Sequence, residues 1–318
     1  MQNETELHVI FGTGPLGKAV MRELVKQGRA VRMVNRTGKA AVPPGVEVVA
    51  GDALNPVSTR ELCTGASVVY QCAQPAYTEW PAKFPAYQAA IIEGTAASGA
   101  KLVVAENLYM YGRVSGPITE TLPYLATTRK GQVRARMAED LMAAHRAGKV
   151  RAVSGRASDF YGPEASQQGV FGDRVIYPLL AGKKVSLLGN PDLPHTYSYI
   201  DDFGRGLVLL GSNDKALGQA WHIPNASTLT SREMLTIFFD EAGFPPKIGA
   251  VPDLALKLVG LFNPVVREVG EMLYEFNEPF VVDHSKFERV FGNIATPHHQ
   301  AVIETLQWFK ASTGQTKH

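Results

Sequence analysis

Gly12, Gly14 and Gly17 follow the β-branched run "HVIF" and open an amphipathic stretch that closes at Gly28. That spacing suits the binding of a dinucleotide. The first glycine permits a tight turn, the second lets backbone approach a pyrophosphate, and the third lets a helix lie close on its strand. Pro15 fits the first helical turn, where its missing N–H is no loss. The free N–H groups and the helix dipole then face an anion. Gly12, Thr13, Gly14, Pro15, Leu16 and Gly17 are therefore the expected phosphate cradle. A bare strand-to-helix turn would use the same glycines; a second strand ending at the right distance favours the dinucleotide. That strand closes on "VRMVNRTGK", with Asn35 and Arg36 where an NAD-preferring site carries Asp or Glu. A guanidinium there can pair with a 2′-phosphate, whereas a carboxylate would repel it. The expected cofactor is NADP(H), with NAD(H) as the alternative.

Strands and helices must hold these residues in place. The runs His8–Phe11, Ala30–Val34, Val46–Ala50, Val68–Cys72, Lys101–Ala105 and Val150–Ser154 read as strands. Between them apolar residues recur at helical spacing, as in Leu16, Ala19, Val20, Leu24, Val25 and again in Val133, Met137, Leu141. This alternation predicts an α/β fold built on a doubly wound parallel sheet of the Rossmann type. The later chain is richer in Gly and Pro, as in "YGPEASQQGVFGD", with helices expected near Ser231–Ala242 and Leu254–Leu261. We expect a dinucleotide-binding domain over 1–155, completed by about 196–225. A smaller, interwoven substrate-binding part would take 156–195 and 226–318. The closing "TGQTKH" reads as a frayed tail.

Composition narrows the function classes. The chain has 318 residues, 45% of them hydrophobic and 19% charged, enough for a large core. A net charge of +2 with scattered Lys and Arg gives no footprint for nucleic acid or a membrane surface. Cys63 and Cys72 form no CxxC pair, which fits a reducing cytoplasm and no structural disulfide or zinc site. "MQNETELHVIFG" has no basic-then-apolar leader pattern, and the apolar stretch near Leu254–Phe262, broken by Lys257, is too short to span a bilayer. The expectation is a cytoplasmic protein with a small-molecule substrate and no metal.

Further segments, in order, resemble the extended short-chain dehydrogenase/reductase group, the NAD-dependent epimerase/dehydratase family. They are "VVAGDALNP", "VVYQCAQP", "AENLYMYG", "GRASDFYGPE", "HTYSYIDDFGRG", and "VVDHSKFERVFG" with "TPHHQAVIETLQWF". The resemblance runs through essentially the whole chain. It implies that Asp52 and Ala53 meet the adenine side and that Cys72, Ala73 and Gln74 line the cofactor. It places Tyr111, Asp159, His195 and Tyr197 on the substrate side. It also implies a homodimer through helices flanking 85–98 and 132–146. Asp201 and Asp202 are expected to cap the following helix.

The family carries proton transfer on a Ser or Thr and a Tyr-x-x-x-Lys pair, and here the resemblance breaks. Alignment on Tyr111–Gly112 puts Asn107 at the serine position. Alignment on "MAED" puts Gly131 and Ala135 at the Tyr and Lys positions, and a one-residue shift puts Lys130 and Arg134 there. No tyrosine in the chain has a lysine four residues later. A positioned general acid is worth about 10²–10⁴ in rate, while hydride delivery belongs to the cofactor. Lys130, Tyr109 and Asn107 are the substitute catalytic candidates, Lys130 also touching the cofactor. Three functions remain open. The first is an atypical oxidoreductase acting on a small carbonyl or unsaturated substrate. The second is a sugar-nucleotide epimerase or dehydratase, against which His195 in place of an arginine argues. The third is a non-catalytic NADP(H) sensor or interaction protein.

Overall fold

A computed structural model describes residues 6–251, 268 and 270–313. The helix expected near 254–261, the apolar stretch around it and the tail beyond 313 lie outside the described residues. The first strands and helices alternate as the sequence predicts: β1 (Leu7–Phe11), α1 (Pro15–Lys26), β2 (Ala30–Asn35), β3 (Glu47–Ala50), α2 (Pro56–Leu62), β4 (Ala66–Gln71), α3 (Trp80–Ser98), β5 (Lys101–Glu106), α4 (Arg129–Arg146) and β6 (Arg151–Arg156). These six strands join an edge strand, Ala220–His222, that the sequence reading missed because it is three residues long. The spatial order runs edge strand, β6, β5, β4, β1, β2, β3, and every pairing is parallel. This is a Rossmann-like α/β sheet.

Such a sheet is covered on both faces, so its strands are near-continuous apolar runs. Val9, Ile10, Phe11, Leu102, Val103 and Val104 are fully or almost fully buried. The helices are started and stopped by local chemistry. Pro15 and Pro81 sit in first turns, and Thr128 caps α4 by accepting a hydrogen bond from the Gly131 N–H at 3.2 Å. Helix α3 ends at Gly99, in the left-handed conformation.

The chain divides into two compact units. One holds residues up to 112, 123–157 and 203–223, and therefore the whole seven-stranded sheet. The other holds 113–122, 158–202 and the described residues from 224 onward. Segment 113–122 groups with the second unit because Ile118 bridges to Val282. Helices α5 (Asp173–Leu180), α6 (Ile200–Ser212) and α7 (Ser231–Ala242) follow. In the second unit Phe171, Ile176, Leu179, Phe238, Phe239, Leu306 and Phe309 make a separate apolar core. A capping box between Thr230 and Glu233 starts α7. Asp201 and Asp202 fall inside the first turn of α6, and the Asp202 carboxylate accepts from the Thr296 N–H at 2.6 Å and its hydroxyl at 2.7 Å. Asp202 thus pins the segment leading into the last helix. Among the described residues no helix is long and apolar enough to cross a membrane, and no His, Cys, Asp or Glu cluster could hold a metal.

Candidate active site

The glycine turn behaves as its spacing requires. Gly12 has φ +120°, and a Cβ there would come within 2.9 Å of the Ala73 Cβ. A Cβ at Gly17 would collide with the carbonyl oxygen of Gly12, so the third glycine is what lets α1 sit on β1. Gly14 caps α1 without a side-chain hydrogen bond, and no acid occupies the first turn. The positive helix end is therefore uncapped by any carboxylate, and the residues present fit a diphosphate.

Around this turn, Asn35 acts on the protein itself. Its Oδ1 accepts from the N–H groups of Thr37 at 2.9 Å and Gly38 at 2.7 Å, and its amide donates to Thr13 Oγ1 at 2.9 Å. Asn35 thus ties the tip of β2 to the phosphate turn and leaves Arg36 exposed beside it. Asp52 accepts from the Leu54 N–H at 2.9 Å, and Ala53 is buried in the core under β1. The Cys72 N–H donates to the Phe11 carbonyl at 3.0 Å, extending the β1–β4 ladder past Gln71. Burial pushes the Cys72 thiol well above the usual thiol range.

The turn after β5 and the first turns of α4 bring the catalytic candidates together. Lys130 and Arg134, one helical turn apart, both point inward and are about 1% and 2% exposed. The helix therefore buries Lys130 and Arg134, the pair of the shifted alignment, with Gly131 buried beside them. The Lys130 ammonium lies 4.5 Å from the centre of the Tyr77 ring. The Tyr77 hydroxyl donates to the Tyr109 hydroxyl at 3.3 Å. Trp80 backs both tyrosines, with ring centroids 5.0 Å from Tyr77 and 6.1 Å from Tyr109. Asn107 stays local: its Oδ1 accepts from the Tyr109 N–H at 3.4 Å and shapes the turn.

Beneath this cluster lies a buried charge network that the sequence reading did not assemble. Glu106 accepts from Arg156 Nε at 2.9 Å and from the Ser154 hydroxyl, and it lies 3.8 Å from Arg134. Arg156 also donates to the hydroxyls of Tyr111 at 2.6 Å and Tyr124 at 2.5 Å, and Tyr111 meets His222 Nε2 at 2.9 Å. Burial alone would lower the Arg156 pKa, but Glu106 and the two phenols hold it above the ordinary guanidinium value. Arg134 is lowered by its burial, beside the Trp80 and Phe84 rings. Burial raises the Tyr111 phenol, whose hydroxyl is committed to Arg156 and His222. Tyr111 is thus a structural strut in the first unit. The only visible signal for Glu106 was an acid where the resembling segment carries a small residue; nothing marked Tyr77.

Asp159, His195 and Tyr197, expected on the substrate side, do meet within the second unit. His195 Nε2 lies 2.9 Å from Asp159 Oδ2, and Nδ1 lies 3.2 Å from the Glu275 carbonyl oxygen. Both ring nitrogens are thus engaged by oxygen acceptors. It stacks on Tyr197, Phe276 and Phe280 at 4.6, 5.0 and 5.1 Å. The Tyr197 hydroxyl pairs with Ser231 at 2.6 Å. The buried Glu275 carboxyl is raised well above the ordinary carboxylate range by desolvation and then by Asp159.

A sheet of this order with a glycine cradle at its centre defines a Rossmann-type dinucleotide-binding protein. The chain belongs to the NAD dependent epimerase/dehydratase family, whose profile matches residues 9–223. No curated protein gives a significant match. Among solved structures, a dTDP-glucose 4,6-dehydratase from Streptomyces venezuelae with NAD bound is similar at 18% identity, covering 98% of each chain with a TM-score of 0.78. A UDP-N-acetylglucosamine 4-epimerase from Bacillus cereus is similar at 14% identity, 96% of each chain and a TM-score of 0.78. A UDP-glucuronic acid 4-epimerase from Bacillus cereus in complex with NAD is similar at 16% identity, with 96% and 99% covered and a TM-score of 0.77.

Proposed function

We propose that this chain is a hydride-transferring enzyme that holds a nicotinamide dinucleotide on the Gly12–Gly17 turn and acts on a sugar nucleotide. The observation that carries the enzyme reading is the Tyr109–Tyr77–Lys130 cluster beyond the carboxyl end of β5. Ligands of open α/β sheets bind outside the carboxyl ends of the strands. An ammonium buried over a phenol ring there supports a role in proton transfer. The family match and the sugar-nucleotide relatives support the substrate class better than the small carbonyl compound expected from the sequence. Exposed Arg36 supports NADP(H), while the relatives' bound NAD supports NAD(H) as the second choice.

When bound, the nicotinamide gives or takes a hydride. Tyr109 gives its hydroxyl proton to the substrate oxygen, or takes it in the reverse direction. Lys130, without touching substrate, stabilises the negative charge left on the phenol oxygens. Arg36 holds the 2′-phosphate, and Asn35 fixes the loop that presents it.

One observation favours a small, non-nucleotide carbonyl substrate as a second reading. His195 Nε2 is engaged by the Asp159 carboxylate and Nδ1 by the Glu275 carbonyl, so neither ring nitrogen is placed to bind a diphosphate. Calorimetry with UDP-glucose and dTDP-glucose, in the presence of NADPH or NADH, tests the two readings. Saturable binding with a change in nicotinamide absorbance supports the first. Turnover of a simple ketone or enone without sugar-nucleotide binding supports the second. Tight coenzyme binding with no turnover of either class leaves a sensor, and no coenzyme binding at all overturns the proposal.

A further inference from the structure

We propose that Tyr87 is a specificity-determining residue of the coenzyme site. Together with Asp52 it reads the Watson–Crick edge of the adenine, Asp52 accepting from the 6-amino group and Tyr87 donating to ring nitrogen N1. This rests on the coenzyme reading given above. All the residues involved belong to one compact unit, the one that holds the seven-stranded sheet.

Topology brings the two side chains to one end of the sheet. Strands β2, β3 and β4 end at Asn35, Ala50 and Gln71, and the chain carries Arg36, Asp52 and Cys72 just past their carboxyl ends. Helix α3 joins the parallel strands β4 and β5, so it runs back from that end of the sheet. Its Ala90 carbonyl accepts from the Thr59 hydroxyl of α2 at 2.7 Å, and Ser58, beside Thr59, accepts from the Asp52 N–H at 3.2 Å. Tyr87 stands nearly one turn before Ala90 on α3, and therefore nearer the carboxyl ends of the strands. It packs against the core cluster that includes Ala53, the neighbour of Asp52.

Both groups have spare hydrogen-bonding capacity. Asp52 is exposed and commits Oδ1 to the Leu54 N–H at 2.9 Å. Neither its Oδ2 nor the hydroxyl of half-buried Tyr87 is hydrogen-bonded to a described residue. Burial raises the Tyr87 phenol, Cys72 and Asp52 act in the same direction, and Arg36 opposes them. The phenol therefore keeps its proton at neutral pH and can donate it, while an ionised carboxylate only accepts. The side chains that act on it are those carried at the strand ends. A donor beside an acceptor matches adenine, whose 6-amino group donates and whose N1 accepts. Hypoxanthine, with a carbonyl at C6 and an N1–H, presents the opposite order. A site built to hydrogen-bond one pattern is left with unpaired groups by the other.

The test is calorimetric titration of the full-length protein with NADPH, NADH and the hypoxanthine analogue of each, with no substrate present. The unaltered protein should bind the adenine forms at least about tenfold more tightly. Tyr87→Phe, which keeps the ring in the core, should weaken NADPH by about fivefold, the worth of one hydrogen bond, and leave its hypoxanthine analogue unchanged or bound more tightly. Asp52→Asn keeps the Leu54 turn through its own Oδ1 and presents an N–H to a C6 carbonyl, so it should shift the preference toward hypoxanthine. Matching far-ultraviolet spectra would show that the variants fold. Equal affinity for the two bases in the unaltered protein would overturn the proposal, as would a Tyr87→Phe variant that weakens both bases alike or neither. Those outcomes leave coenzyme binding itself standing. No uptake of any dinucleotide would overturn the coenzyme reading and this proposal with it.

Discussion

A Cβ at Gly131 would lie 2.6 Å from the backbone carbonyl oxygen of Tyr109. The turn after β5 rests directly on the first turn of α4 at Gly131, one of the two positions that the resemblance offers for the family's tyrosine. The missing side chain is thus compensated by a neighbour's main chain. Gly131→Ala forces that contact apart, and overpacking of this kind costs about 1–3 kcal/mol. Urea denaturation is expected to show a lowered midpoint at unchanged slope. Installing tyrosine at 131 with lysine at 135 should destabilise the fold rather than improve turnover.

Replacing Tyr109 by Phe removes the proposed proton donor while keeping the ring against Trp80. Turnover should fall by about 10²–10⁴. Coenzyme affinity, measured by quenching of protein fluorescence, should stay within twofold or so. An equal loss of both would show that the residue shapes the pocket instead.

Arg36→Asp should exchange coenzyme preference. The variant loses a charge-assisted contact with the 2′-phosphate, worth about 1.5–3 kcal/mol, or roughly tenfold to a hundredfold in affinity. Titration with NADPH and NADH in parallel checks the ratio. Equal affinities in the unaltered protein would remove the reason for invoking Arg36.

Glu106→Gln should be among the most damaging single changes. It leaves Arg134 and Arg156 buried without a counter-charge, and breaking such a network costs about 3–5 kcal/mol. Thermal melts should register the loss even though the side chain is fully enclosed and isosteric. Near-neutral behaviour would mean that water or an anion takes over the role of the carboxylate.

His8 makes stability depend on acid. Burial, aided by Arg29, lowers its pKa to about 4. The unfolded chain therefore binds a proton there that the folded chain refuses between pH 6.5 and about 4, and stability falls as pH drops through that window. The loss attributable to this residue is at most about 3 kcal/mol. His8→Gln should flatten the acid limb of a melting-temperature profile.

The nucleotide layer was readable from the chain because its signals are local. Short β-branched runs, a glycine turn and helical apolar spacing each lie within about twenty residues of sequence. The runs expected at 8–11, 30–34 and 101–105 fall within strands of the sheet, and those at 46–50, 68–72 and 150–154 match strands at all but one residue each. The seventh strand was not readable, since "AWH" is too short to show a period. Of the candidate site, Lys130 and Tyr109 were nameable from their places in recognisable segments. Their partner Tyr77 was not, because a loop tyrosine acquires meaning only when three remote backbones converge. Glu106 was hidden for a related reason: a carboxylate at the end of a parallel strand gives no hint of two arginines waiting in other elements.

Gly204 of α6 lies against α1, where a Cβ would come 2.7 Å from the Ala19 carbonyl carbon. The helix that opens at the glycine turn is therefore braced by a segment made nearly two hundred residues later. A ribosome-bound chain ending anywhere before that glycine already contains the entire glycine cradle but lacks its support. Firm seating of α1 against its neighbours is therefore expected only once α6 has emerged, so the cradle is completed late in synthesis.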